Sequence, residues 1–368
     1  MASGSTGDFK VCRPLYTGLE IVNFRCIRRL KADGFRRINL ISGNNGAGKS
    51  AFLEALLLHS GQADPRPIWT LCQLRGVSPK APPGATPDPP WLFLFARCAS
   101  EEPVAIHATG RPQAEGTLTI QCGLTAEDLQ DPTAPEATGT AERRPAPAEG
   151  VKLIWEHKGS RRQSLLYREG AGYQTRLPAD PSALIARFMS ARAGDAMREL
   201  AAEFGSLELE NRQGLLLDTL RMMEPRLTRL SVASCGTEMM LCADVGLGRS
   251  MPLCLLGAGA EQLARLILGV TTVPGGLLLV EAIESCIHHT NLLRLWRALG
   301  ELLEQLDVQL FATTYSRECI MAAHHAFSEA PEYVFSLVRL EQSARETRAV
   351  VYDQEGLEEA LEADFEVR

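Results

Sequence analysis

The sequence of 368 residues predicts an α/β fold with an inserted, mainly β subdomain, and three observations support that prediction. An apolar run at residues 38–41 is followed by a glycine-rich loop and then by a helical pattern at 52–58. Between residues 253 and 320, helical and strand patterns alternate, which is typical of a parallel sheet. Short alternating segments between these two parts predict the inserted strands.

The loop at residues 43–50 fits the pattern G-x-x-x-x-G-K-[ST], which binds phosphate when a strand precedes it and a helix follows. Glycines let backbone N–H groups surround an anion, and the positive end of the following helix faces it. We expect Lys49 to reach the β- and γ-phosphates and Ser50 to bind Mg²⁺. A glycine-rich turn without a ligand is the alternative. The expected nucleotide-binding residues of this segment are Gly43, Asn44, Asn45, Gly46, Ala47, Gly48, Lys49, Ser50 and Ala51.

Three features near the C-terminus could complete a nucleotide site. Residues 275–281 predict a buried strand that ends at Glu281, whose carboxylate would bind the metal together with Ser50. Gly257 and Gly259 open a helical stretch, where an anion can dock, and residues 308–316 predict a strand with a polar tip. An ordinary buried strand and an ordinary helix start are the alternative interpretations.

Composition argues against several other functions. The net charge of −7 disfavours a protein that coats nucleic acid, although the arginines between residues 25 and 37 could form a local basic face or simply a solvated surface. The ten cysteines include no C-x-x-C pair, which makes a cysteine metal site improbable. With no signal peptide and no long apolar span, we expect a cytoplasmic protein with reduced thiols and no membrane partner.

The patterns divide the chain into four regions. Residues 1–72 form the N-terminal lobe, and 73–192 form a β-rich insert with strands predicted at 91–95, 116–120, 151–155 and 164–167. Its Pro-rich segments, 78–90 and 126–150, do not support regular structure. Residues 193–250 carry helices up to about residue 230 and rejoin the head, and residues 251–368 form the C-terminal lobe, with a last strand pair at 333–340 and 347–352.

Taken together, these motifs resemble the ATP-binding-cassette-type, AAA-family ATPases related to RecF, the structural-maintenance-of-chromosomes proteins and the overcoming-lysogenization-defect nucleases. Residues 19–25 look like the family's opening strand, and residues 251–320 look like its signature, Walker B and switch regions. The resemblance implies a P-loop head that dimerises around ATP and Mg²⁺. Arg25 would then lie near the nucleotide, and Gly257, Ala258 and Gly259 of one subunit would face the γ-phosphate bound to the other.

The chain departs from the family at three positions. Ala282 stands where relatives carry the glutamate that positions the attacking water, and an alanine methyl group cannot take that role. Tyr315 replaces the usual switch histidine, and Leu256 replaces the leading serine of the signature. Glu284, about 7 Å beyond Ala282 on an extended strand, is not expected to substitute for the missing glutamate. We therefore expect slow or absent hydrolysis of ATP. Either residue 282 has been altered, or the protein is a natural ATP-binding subunit with low turnover.

Two functions fit these expectations. The first is an ATP-driven dimerising switch that acts on DNA or on a separate nuclease or effector subunit, by analogy with prokaryotic defence or repair systems, because the chain carries no appended nuclease domain. The second is a scaffold subunit that holds ATP as a fixed staple without cycling. The ATPase of a membrane transporter is a weaker third candidate, because such proteins carry a short helical insert instead of a long β-rich one.

Overall fold

The computed structural model describes residues 13–77, 88–98, 100–129, 149–170, 172–178, 180, 182–191, 196–221, 224–343, 346–363 and 365–367. Most of the two Pro-rich segments, and Met222 and Met223, therefore lie outside the described residues. No helix in the described part of the chain is both long and apolar enough to cross a bilayer.

The strands of the described residues, in chain order, are β1 (Tyr16–Phe24), β2 (Ile27–Asp33), β3 (Ile38–Gly43), β4 (Val104–Gly110), β5 (Gly116–Cys122), β6 (Gly150–His157), β7 (Ser160–Glu169), β8 (Gly172–Arg176), β9 (Ala186–Met189), β10 (Arg229–Cys235), β11 (Glu238–Asp244), β12 (Met251–Pro252), β13 (Leu277–Val280), β14 (Gln309–Thr313), β15 (Phe335–Gln342) and β16 (Thr347–Tyr352). The helices are α1 (Lys49–Ser60), α2 (Arg66–Arg75), α3 (Ala126–Leu129), α4 (Ala196–Leu209), α5 (Gly214–Arg221), α6 (Ala258–Thr271), α7 (His289–Gln305), α8 (Arg317–Phe327) and α9 (Gln354–Glu362).

A mainly parallel sheet forms the head of the molecule and confirms the predicted α/β class. Its strand order is β16-β15-β3-β14-β13-β9, and every neighbouring pair from β15 to β9 is parallel. The alternation predicted for residues 253–320 is observed as α6, β13, α7, β14 and α8. Because β3, β14 and β13 are adjacent and parallel, the segments that follow their carboxyl ends meet at one edge.

An antiparallel sheet with the order β2-β1-β4-β5-β6-β7-β8 lies over the head. Three of the strands predicted for the insert are observed as β5, β6 and β7. Together with β4 and β8, which were not predicted, they continue the sheet that β1 and β2 begin in the N-terminal lobe. β9 also falls within the predicted insert, yet it pairs with β13 in the parallel sheet. The stretch 73–192 thus contributes to the antiparallel and to the parallel sheet, while β10, β11 and β12 form a separate three-stranded sheet.

Helix α1 lies between the two sheets, and every residue of the helix except Ser50 is buried. One hydrophobic core fills the space between the sheets and includes Phe52 of α1 and Phe311 of β14. A second core, on the other face of the parallel sheet, packs α4 to α8 against β13 and β14. The helix that begins at the phosphate loop is therefore held on all sides, which fixes its N-terminus relative to the strand ends.

Three local predictions were wrong. Residues 91–95 were predicted as a strand but form a 3₁₀ turn at Leu92–Leu94, because Trp91 and Leu94 bury their side chains at a spacing of three. Residues 19–25 resemble a single opening strand, but β1 ends at Phe24, the chain reverses between β1 and β2, and Arg25 in that turn has a φ of 53°. The helical region ends at Arg221 and not near residue 230, because β10 begins at Arg229 and pairs with β11.

Candidate nucleotide site

The backbone of the loop at residues 43–50 requires glycine at three positions. Gly43, Gly46 and Gly48 have φ values of 131°, 82° and 99°, a region that L-residues rarely occupy. A Cβ on Gly43 would also lie 2.3 Å from the carbonyl oxygen of Leu340 on β15. The loop conformation therefore depends on the glycines that identified it in the sequence.

Helix α1 begins at Lys49, directly after this loop, and Gly48 at its N-cap offers no side-chain cap. The first backbone N–H groups of a helix have no partner within the helix, and they carry its positive dipole end. In α1 they face the loop. An anion at this position would receive the hydrogen bonds that a capping side chain supplies elsewhere.

The Lys49 ammonium group lies inside the loop. Its Nζ donates to the carbonyl oxygens of Gly43 and Asn44, the latter at 3.0 Å, and the residue is only 4% exposed. Nζ also lies 4.1 Å from the ring centroid of Tyr315. Burial lowers the pKa of Lys49, and the charge of Glu284 opposes that shift. The structure therefore places the predicted phosphate-binding lysine and the switch tyrosine in contact.

Two buried carboxylates share one guanidinium beside the loop. Arg75, at the end of α2, donates to Glu281 with an Nη2 to Oε1 distance of 2.7 Å and to Glu54 with an Nε to Oε1 distance of 2.7 Å. The Glu54 side chain is fully buried, and the Glu281 side chain is 8% exposed. Arg25 forms a second ion pair with Glu54. Charges buried this deeply are stable only when they are paired.

Glu281 lies where the sequence predicted a metal ligand, directly after β13. Ser190, which follows β9, donates to its Oε2 at 3.1 Å, and Ser50 is also hydrogen-bonded to this carboxylate. Burial acts to raise the pKa of Glu281, but Arg75, Ser50 and Ser190 together hold it below its usual range. The two predicted magnesium ligands, Ser50 and Glu281, are therefore neighbours, and the carboxylate is kept charged.

A cleft of about 680 Å³ opens over the loop. Its walls come from the loop, from α1 and α2, and from the turns near residues 25 and 95. Its lining residues are Arg25, Cys26, Gly46, Gly48, Lys49, Ser50, Ala51, Arg75, Phe93, Phe95, Cys98 and Tyr315. The cleft thus brings the predicted Arg25 to the same space as the loop, and the Arg25 guanidinium stacks over the Phe93 ring at 5.9 Å.

The segment after Glu281 is a series of turns and not the extended strand assumed for Glu284. β13 ends at Val280, Ser285 donates to the carbonyl oxygen of Ala282 at 2.9 Å, and Ile287 donates to that of Glu284 at 3.0 Å. Ala282 has a φ of 48°, and its N–H donates to Thr313 Oγ1 at 2.9 Å. The spacing of about 7 Å predicted for an extended chain therefore does not apply.

The turn brings Glu284 to the switch residue. Glu284 Oε1 accepts the backbone N–H of Tyr315 at 2.8 Å, while Oε2 is buried without a hydrogen-bond partner among the described residues. The Tyr315 side chain is half-exposed and lies in the cleft wall. Glu284 is therefore connected to the phosphate loop through one residue, Tyr315.

The predicted signature residues lie away from this cleft in the same chain. Gly257, Ala258 and Gly259 are at the start of α6, and none of them lines the cleft among the described residues. Gly257 and Ala258 are exposed, and a Cβ on Gly257 would meet no atom within 4 Å. Gly257 and Ala258 are thus accessible at the surface, as an interaction with a second copy would require, while Gly259 is partly buried.

The site fits a hydrated magnesium ion bound together with phosphate. Among the described residues, no group of three or more His, Cys, Asp or Glu side chains could hold a metal ion by itself. Mg²⁺ commonly takes one or two protein oxygens and completes its shell with phosphate oxygens and water. The Ser50 hydroxyl and the Glu281 carboxylate supply such a pair, because they already share a hydrogen bond.

The arginines predicted as a basic face are largely engaged within the fold. Arg36 donates to the carbonyl oxygen of Tyr333 at 2.7 Å, and Arg37 pairs with Asp307 at 3.3 Å. Arg29 pairs with Glu20 at 2.8 Å, with 74% of its side chain exposed. Arg36 and Arg37 therefore act mainly in packing, which reduces the basic surface near β2.

Comparisons with known proteins support a phosphate-binding loop of the AAA type in one part of the chain. The family model described as an AAA domain matches residues 19–66, which contain β1 to β3, the loop and α1. This match confirms the resemblance to the AAA-family ATPases over the phosphate-loop segment. An uncharacterized protein of Methanocaldococcus jannaschii is 47% identical over 47 residues, a match that covers 13% of this chain and 22% of that protein.

The solved structures that match this chain include head domains of structural-maintenance-of-chromosomes proteins. An Smc head bound to the C-winged helix domain of ScpA has a TM-score of 0.49 and 13% identity, covering 95% of this chain and all of that one (100%). For the head from Thermotoga maritima the TM-score is 0.41 at 12% identity, with 92% and 99% covered. The Pyrococcus furiosus Smc head with an extended coiled coil, bound to the C-terminal domain of ScpA, matches with a TM-score of 0.48 and 11% identity. This match covers 95% of this chain and 99% of that one.

Sequence reasoning missed four residues of the site. Glu54 and Arg75 belong to helical patterns without any motif, and Ser190 follows a short strand inside the predicted insert. Thr313, which accepts the N–H of Ala282, was read only as part of a strand. The one available signal was Glu54, because a carboxylate within an otherwise apolar helix run must find a buried cation.

Proposed function

We propose that this protein binds ATP with Mg²⁺ and dimerises around the nucleotide as a slowly hydrolysing switch. One observation carries the proposal: Lys49, the uncapped start of α1 and Ser50 meet at one cleft, and Glu281 is hydrogen-bonded to two residues of its lining, Ser50 and Arg75. The loop and Lys49 would bind the phosphates, while Ser50 and Glu281 would hold Mg²⁺. The bound ion would neutralise phosphate charge during hydrolysis.

Binding requires Lys49 to exchange partners. Its Nζ is satisfied by loop carbonyl oxygens and by the Tyr315 ring, so phosphate would replace contacts that already exist. Calorimetric titration with ATP and Mg²⁺ tests this step, and Lys49→Met should abolish the heat of binding. Lys31→Met is the matched control, because that lysine is on β2 with 65% of its side chain exposed. Equal affinity of Lys49→Met and the unmodified protein would refute the proposed phosphate site.

Slow hydrolysis follows from Ala282, which offers no carboxylate to the attacking water. We expect Ala282→Glu to raise single-turnover hydrolysis by 10-fold or more, since general bases contribute roughly 10²–10⁴-fold. Affinity for ATP should stay within a few-fold, because residue 282 contacts Thr313 only through its backbone. Equal rates for both proteins would show that the missing carboxylate is not the limiting defect.

Dimerisation is supported by the exposed start of α6, which presents Gly257 and Ala258 with nothing covering them. In the dimer this helix start would close over the γ-phosphate of the partner copy. Light scattering with and without ATP tests the step, and Gly257→Asp should keep the protein monomeric by placing a negative charge there. An ATP-dependent dimer that persists in Gly257→Asp would contradict this geometry. DNA or a separate nuclease subunit is the partner that the family analogy suggests.

A scaffold that holds ATP without cycling is the second candidate, and the combination of Ala282 and Tyr315 favours it. In that case ATP should raise the unfolding midpoint, as any ligand of the native state does, without a reversible change of oligomeric state. The switch predicts instead that the dimer dissociates as ATP is consumed. Scattering followed over a full hydrolysis time course separates the two functions.

A further inference from the structure

Glu284 has a carboxylate that the fold uses only in part. Its Oε1 accepts the Tyr315 N–H at 2.8 Å, whereas its Oε2 is buried and has no hydrogen-bond partner among the described residues. A carboxylate oxygen removed from water without a partner is costly. Glu284 itself does not line the cleft, but Tyr315, whose N–H it accepts, does. An unpartnered carboxylate oxygen directly behind a cleft residue indicates that a partner arrives with the ligand.

The position of Glu284 fits a role beside the γ-phosphate. Tyr315, which Glu284 holds through the backbone, has its ring 4.1 Å from Lys49 Nζ. The turn at residues 281–286 folds Glu284 back towards the switch strand, so that it leaves the line of β13. The influence of Glu284 on the pKa of Lys49 agrees with this closeness.

Resting on the proposed function, we infer that Glu284 positions and deprotonates the attacking water in this chain, in the role that Ala282 cannot fill. The water oxygen forms a bond to Pγ, and its proton passes to Glu284 Oε2. The bond between Pγ and the bridging oxygen breaks, so that ADP and inorganic phosphate leave, and Glu284 then returns the proton to solvent. Oε1 keeps its bond to the Tyr315 N–H throughout, which holds the carboxylate in place.

Single-turnover hydrolysis and ATP affinity of Glu284→Gln test this inference. Glutamine retains an acceptor for the Tyr315 N–H but cannot take a proton, so the rate should fall at least 10-fold with affinity and melting temperature unchanged. Glu284→Asp should restore part of the rate. Glu301→Gln, an exposed change on α7, should match the unmodified protein.

A double variant separates a chemical role from a structural one. With Ala282→Glu present, a carboxylate already stands at the usual position, so adding Glu284→Gln should lower the rate by less than 3-fold. A rate for Glu284→Gln equal to that of the unmodified protein would overturn the inference. So would a parallel loss of ATP affinity and melting temperature in Glu284→Gln, which would make Glu284 a structural support.

The unmodified protein separates this inference from the proposed function. Tight ATP binding with no turnover would overturn the role of Glu284 but leave the proposed nucleotide site intact. Absence of ATP binding would refute both the role of Glu284 and the nucleotide site.

Discussion

Replacement of Arg75 should destabilise the protein strongly, because Arg75 neutralises two buried carboxylates. Its guanidinium contacts Glu54 and Glu281, and its own side chain is 20% exposed. Replacing it by methionine keeps an unbranched apolar stem but removes the guanidinium, which leaves both carboxylates short of a cation. Removing one partner of a buried ion pair costs about 3–5 kcal/mol.

The expected loss for Arg75→Met is at the lower end, about 3 kcal/mol, because each carboxylate keeps other partners. Glu54 retains the ion pair with Arg25, and Glu281 retains the hydroxyls of Ser50 and Ser190. With an m-value of about 3 kcal/mol/M, the urea midpoint should fall by about 1 M. Fluorescence of the buried residues Trp155 and Trp296 provides the signal for equilibrium unfolding.

Magnesium provides a second test of the same charge balance. In Arg75→Met, millimolar Mg²⁺ without nucleotide should recover part of the lost stability, because the ion can neutralise Glu281. The unmodified protein should respond less. Arg226→Met is the control, since Arg226 pairs with Glu224 at the surface and should show no measurable change. If the urea midpoint of Arg75→Met decreased by less than about 0.2 M, the assignment of Arg75 as a shared counter-ion would be refuted.

Two further predictions concern stability. Cys286 is exposed with a φ of 64°, so Cys286→Gly should raise the unfolding free energy by about 1 kcal/mol through relief of left-handed strain, and an unchanged or lower melting temperature would contradict this. Burial lowers the pKa of His59 to about 4, while its ring contacts Tyr16 and Gly116. The unfolded chain therefore binds the extra proton first, and stability should fall as pH drops from about 6.5 to about 4, by up to about 1.4 kcal/mol per pH unit. His59→Gln, which does not titrate, should lose less over that range, and identical pH profiles of the two proteins would show that His59 is not the cause.

The sequence predicted the head better than the site around it. The loop glycines, Lys49 and Glu281 follow a spacing that phosphate chemistry imposes, and their strands lie where the apolar runs are. Arg75 and Ser190 carry no such spacing, because they reach the site through tertiary packing of α2 and β9. Their role becomes visible only when the strands are arranged in space.

The position of Glu284 also could not be predicted from the sequence, in this case because of a single turn. Counting residues along an extended strand separated Glu284 from the reacting centre, but β13 stops at Val280 and the chain then curls. Strand ends depend on neighbours: Ala282 donates to Thr313 of β14, a contact between residues far apart in sequence. The antiparallel pairing of β1 with β4 could not be predicted for the same reason, because the local sequence of a strand does not determine which strand it pairs with.

The arginine shared between Glu54 and Glu281 also means that loading magnesium would be an ion exchange and not a simple addition. A resident cation keeps the pocket electrically balanced without ligand, so Glu54 and Glu281 need not move apart to avoid mutual repulsion. The arriving metal would displace a tethered competitor, and the displaced guanidinium, still attached to the end of α2, would become available to the anionic ligand that accompanied the metal. Occupancy of the site would thereby be reported to the end of α2.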